Sequence, residues 1–178
     1  DWSLLKTSQD FFHNHAKRID SMAAAVFILL ILGAWVASTA GGQYNQGCSV
    51  GFPNGWPKCN GNFLPSIDGP GIMVQMIHRT GALVVGILLI LSTAKITESV
   101  RRDKNASGFK TFASLTTGFW GLNLLVGASY IILAQLDEFP EWISLVHLVV
   151  GVGSVLIAIC ASILMRFSKE FSMDLSEE

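Results

Sequence analysis

Two histidines stand in stretches otherwise almost empty of ionisable side chains: His78 within the apolar run 70–94, and His147 within 142–165. Ionisable groups are costly inside a membrane, and by default they mark functional sites there. His78 lies eight residues past Pro70 and His147 seven past Pro140. If both runs are helices entering from one face, each imidazole is about 10–12 Å from the end of its segment. Two neutral imidazoles at one depth on facing helices can occupy both axial positions of a heme iron. The small residues one turn further on, Gly81 and Ala82 after His78 and Gly151 after His147, offer clearance for a flat macrocycle. The competing reading is ordinary packing, with small residues letting membrane helices approach and each histidine bonding a neighbouring helix. A lone histidine favours packing.

Three further residues can take part in chemistry. Arg79 follows His78 by one position, about 100° round a helix, so it does not face the same way. Its side chain tilts toward the helix N-terminus and can reach a heme propionate, or pair with a carboxylate such as Asp68. Cys48 and Cys59 share the segment 41–69, which holds seven of the 17 glycines. They read either as a structural disulfide clip or as a redox-active pair. Cys160 reads as packing. His13 and His15 are two apart, face different directions on a helix and read as surface residues.

The elements that must position these groups follow from where charge is missing. Charged side chains are absent from 21–57, 111–136 and 142–165, in a chain that is 51% hydrophobic and 14% charged, with mean hydropathy +0.48. About 20 apolar residues in a helix cross a hydrocarbon core. The reading is an all-α integral membrane protein, a four-transmembrane-helix bundle forming one membrane domain over 1–178, with spans at about 21–40, 70–94, 111–135 and 142–165. Lipid offers the backbone no hydrogen-bond partners, so each span is expected to be helical.

Ten of the 12 Lys and Arg fall on one side of this arrangement: Lys6, Lys17 and Arg18 before the first span, Lys95, Arg101, Arg102, Lys104 and Lys110 between the second and third, Arg166 and Lys169 after the fourth. That bias puts both termini in the cytoplasm and makes 41–69 one long extracytoplasmic loop, where a disulfide can persist. Residues 1–20 read as an interfacial amphipathic segment, with Trp2, Leu4, Leu5, Phe12 and Ile19 near helical spacing, and no cleavable signal peptide is evident. The lipid bilayer is the expected partner, and no nucleic acid is.

The chain resembles the heme A synthase family, the CtaA-type proteins of cytochrome oxidase biogenesis. The likeness runs through Leu32-Gly33-Ala34-Trp35-Val36, Thr39, Gly47-Cys48, Trp56-Pro57-Lys58-Cys59-Asn60-Gly61 and His78-Arg79. It resumes at Asn123-Leu124-Leu125-Val126-Gly127 and at His147-Leu148. Members commonly have eight spans in two tandem halves, so the resemblance implies a half-size form, with a second copy or a partner membrane subunit supplying the other half. This chain departs from the family pattern at Gln75, where a glutamate is usual, at Ala37, where an arginine is usual, and in the ten residues between its cysteines.

The resemblance implies an oxidoreductase that converts a heme O methyl group to the formyl of heme A, assisted by a b-type heme on His78 and His147, with Cys48 and Cys59 as its redox pair. An alternative keeps only the cofactor: a bis-histidine b-type electron-transfer or accessory subunit of a membrane complex. Gln75 suits that reading, since an amide cannot exchange protons as a carboxyl can. A heme-delivery or scaffold subunit, with the cysteine loop as a docking surface, is a third.

Overall fold

The computed structural model describes residues 7–40, 48, 50–135 and 138–174. Four long helices carry the chain: α1 (Gln9–Ala40), α2 (Pro70–Val100), α3 (Ser107–Leu133) and α4 (Glu141–Asp174), with a 3-10 turn at Lys104–Ala106 leading into α3. All four are long and apolar enough to cross a membrane, and no strand occurs among the described residues. Several helices outrun the apolar runs that announce them: α1 begins at Gln9 rather than near 21, and α2 continues to Val100 rather than ending near 94. Charge-free stretches measure hydrocarbon thickness, whereas a helix satisfies its own backbone and continues into the polar interface.

The start of α1 corrects two expectations. Phe11, His15, Ile19 and Met22 are buried at helical spacing, so Phe11 rather than Phe12 lies on the packed face. His15 is not a surface residue: its Nε2 lies 2.8 Å from Ser99 Oγ on α2, and its ring packs against Phe11. His13 is exposed. Trp2, Leu4 and Leu5, with Gly47 and the loop start at 41–47, lie outside the described residues.

By its contacts the chain forms two compact units, and each helix contributes to both. One unit takes α1 up to Phe27, Val85–Trp120, and α4 from Gly153. Its interior is built from Met22, Leu89, Ile96, Phe109, Ala113, Ala158 and Met165. Hydroxyls tie its helices together: Thr93 Oγ1 lies 2.8 Å from Thr117 Oγ1 and donates to the Ala113 carbonyl at 3.2 Å, and Ser154 donates to the Thr116 carbonyl at 3.2 Å. Lipid tails are as apolar as leucine, so close packing and such bonds, rather than hydrophobic exclusion, hold membrane helices together. Gly86 faces the Trp120 indole so closely that a Cβ would collide with the ring, and Gly153 likewise faces Phe119.

The other unit comprises Ile28–Val84 and Gly121–Val152, and it contains both histidines of the spans and the cysteine loop. Large apolar side chains such as Ile31, Leu83, Leu125 and Val149 point outward. For a helix in lipid that is the ordinary outer surface.

Candidate functional site: two histidines and a cysteine loop

His147 is seated by α3. Asn123 and Gly127 are four apart, so they lie one above the other on one face of that helix. His147 Nδ1 is 3.0 Å from the Asn123 carbonyl oxygen. A carbonyl only accepts, so Nδ1–H donates, and Nε2 is left with its lone pair. The ring fits because Gly127 has no side chain: a Cβ there would stand 2.7 Å from Cε1 and 3.1 Å from Nδ1. One helical turn of α3 therefore supplies both the slot and the bond that fixes the tautomer. Iron-ligating histidines are commonly held in this way, through the nitrogen that does not bind the metal.

His78 is seated by α1. A Cβ on Gly33 would lie 3.3 Å from its Cε1 and 3.9 Å from its Nδ1. Its Nδ1 is buried without a hydrogen-bond partner. Each of the two rings lies against a helix backbone at a glycine. The buried orphan nitrogen of His78 marks a polar group that this arrangement alone does not satisfy.

The glycines next to the histidines in sequence do something else. The space at Gly81 is taken by Leu29 and Leu32 of α1, and that at Gly151 by Asn123 and Leu30. They let helices approach, as in the packing reading. Ring clearance comes instead from Gly33 and Gly127, distant in sequence from the histidines they face. Both belong to the stretches that carry the family likeness, which was the only sequence signal available for them. Asn123, whose Oδ1 is buried without a partner, is a further residue that the histidine pattern did not single out.

Cys48 and Cys59 lie at disulfide distance, with Cα atoms 4.2 Å apart, and are 0% and 1% exposed. A turn at Asn60-Gly61, with φ of 50° and 76°, pairs Cys59 with Asn62. Positive φ at both central residues is the geometry that Asn-Gly favours in a tight hairpin. Gly51, at φ 78°, donates its N–H to the Ile131 carbonyl at 2.8 Å, tying the loop to the last turn of α3, where helix carbonyls lack partners.

Arg79 ties the same loop to α2. Its Nη1 donates to the Lys58 carbonyl at 2.9 Å, and its Nη2 donates to the carbonyls of Gly55, at 2.9 Å, and Cys48. The guanidinium is thus directed at loop backbone rather than at Asp68. Its Nε is buried without a partner. Cys160 is exposed and unpaired. Gln75, one turn before His78, is buried at 7% exposure.

A family profile described as cytochrome oxidase assembly protein (COX15-CtaA) matches residues 13–161. Among curated proteins the chain is similar to a heme A synthase of Lysinibacillus sphaericus, 29% identical over 127 residues, covering 70% of this chain and 38% of that protein. A heme A synthase of Sphingopyxis alaskensis is 26% identical over 158 residues, covering 82% and 38%. One of Bacillus cereus is 32% identical over 111 residues, covering 62% and 32%. The chain therefore spans 32–38% of the length of these relatives. No solved structure matches it. The match across both histidines, the cysteine loop and all four membrane-spanning helices makes this chain a multi-pass cell-membrane protein belonging to the COX15-CtaA family of cytochrome oxidase assembly proteins.

Proposed function

We propose that this chain holds a b-type heme between His78 and His147 and serves heme A formation, in the step that takes a heme O methyl group to the formyl. The observation that carries the reading is the seating of His147: a glycine slot, a fixed tautomer and an Nε2 left with its lone pair. Bound heme supplies one-electron chemistry at its iron. The chain's own residues would hold the iron through the two imidazoles, while Arg79, one residue from His78, holds the cysteine loop against α2. Cys48 and Cys59 are the candidate redox pair. Their burial means that an attacking thiolate reaches sulfur only once the loop opens.

A second reading is favoured by one observation. Gln75 is a buried amide one turn from His78, where the family pattern has a carboxyl that can exchange protons. A chain with that change can bind heme and pass electrons without converting heme O.

Expression of the full chain in cells that make heme O but no heme A separates these readings. The expected result is a six-coordinate low-spin spectrum in the purified protein, with formyl-bearing heme in extracts. Low-spin heme without formyl product selects the electron-transfer reading, and absence of any heme band overturns both.

A further inference from the structure

The three carbonyls that Arg79 holds, from Cys48, Gly55 and Lys58, all belong to the segment closed by the cysteine pair, and Cys48 is itself one end of the bond. Among the described residues, one backbone–backbone bond ties this segment to a helix, Gly51 N–H to the Ile131 carbonyl. Within the segment, Gly55 and Trp56 donate to the Gly51 carbonyl, Lys58 to Pro53, and Gly61 to Asn54, so the loop is folded around a guanidinium that is not part of it. Gly55 is packed against the Val50 backbone so tightly that no Cβ fits there. Arg79 is covalently next to His78, whose ring is wedged against Gly33.

We propose that Arg79 is a positioning residue: it locks the disulfide-closed loop onto the turn of α2 that carries His78, so that opening the disulfide is felt at the His78 imidazole. The part that concerns heme rests on the ligation reading above; the mechanical part does not. A guanidinium is suited to this task. It presents five donors in a rigid planar fork, and charge-assisted bonds to carbonyls are stronger than neutral ones. An ammonium on a flexible stem cannot reproduce that fork. Opening the loop is a two-electron step: reduction of the Cys48–Cys59 bond by a phosphine places two electrons and two protons on the two sulfurs, and the phosphine leaves as its oxide with oxygen from water.

The test uses the full chain in lipid nanodiscs, as wild type, Arg79→Gln and Arg79→Lys. The rate of disulfide reduction by a water-soluble phosphine is read first, by thiol alkylation. Arg79→Gln should speed it about tenfold or more, as expected when several hydrogen bonds to a charged group are lost, with Arg79→Lys in between. The ring resonances of His78 are then followed in heme-free protein labelled at histidine. Reduction should move them in wild type and leave them unmoved in Arg79→Gln, and the low-spin heme signal should respond in parallel where heme is bound. Equal reduction rates in wild type and Arg79→Gln would overturn the lock. A changed rate with no movement of the wild-type His78 resonances would overturn the transmission. If the ring resonances respond as expected but no heme binds, the ligation reading fails and the lock stands.

Discussion

The two units of the chain use the same packing device for different ends. In the unit that carries the basic turn, glycines at 86 and 153 face the rings of Trp120 and Phe119. In the other, glycines at 33 and 127 face the rings of His78 and His147. In both cases a missing side chain on one helix admits a flat ring from its neighbour, a dense contact of the kind that holds helices together where lipid competes for apolar surface. What differs is the ring. Indole and phenyl bring only contact area to the slot, whereas imidazole brings a nitrogen lone pair and a proton whose position the Asn123 carbonyl decides. The two imidazoles therefore sit in packing slots of the same kind with a different occupant.

The largest expected effect is at the imidazoles themselves. His78→Ala or His147→Ala should turn a low-spin six-coordinate heme spectrum into a weaker high-spin one or abolish binding, while His15→Ala, in the other unit, should leave the spectrum unchanged. Full low-spin heme in the double variant His78→Ala/His147→Ala would break the distinction between the units. Next comes Gly127→Ala. Its new methyl would stand 2.7 Å from His147 Cε1, so either the ring or the helix must move. Overpacking of this kind costs about 1–3 kcal/mol, which predicts heme affinity lower by about tenfold or more in a titration. Gly33→Ala, with 3.3 Å to His78 Cε1, should do less.

Gly86→Ala sharpens the comparison from the other side. The Trp120 indole would be displaced, with a stability loss of about 1–3 kcal/mol in reversible unfolding, yet an unchanged heme spectrum. The smallest effect is expected from Thr117→Val, which removes the hydroxyl between Thr93 and the Ala113 carbonyl. Interhelical polar bonds in membranes are typically worth about 0.6 kcal/mol, so the unfolding midpoint should move only slightly.

Much of this molecule is already in its sequence. Four long charge-poor runs fix four helices, because in lipid a segment of that length can satisfy its backbone only by coiling on itself. Two histidines eight and seven residues past Pro70 and Pro140 give a candidate site at nearly one depth, because helical rise converts residue count into length. The proximity of Cys48 and Cys59 follows from their lying within one glycine-rich loop with ten residues between them. Helix ends were less legible, since apolar composition reports the hydrocarbon and α1 extends beyond it to Gln9.

Only the tertiary structure decided which glycines serve the imidazoles, which partner Arg79 takes and which side of His15 is covered. Gly81 and Gly151 lie one turn from the histidines, but a residue one turn along the same helix points the same way as its neighbour and cannot make room opposite it. That room has to come from another helix, and a single sequence does not say which residues of two helices meet. Arg79 had a carboxylate within reach in sequence, yet its fork is taken by three carbonyls that become neighbours only after the loop has closed. Backbone carbonyls are identical at every position of a sequence, so their gathering around one guanidinium is a property of the fold alone.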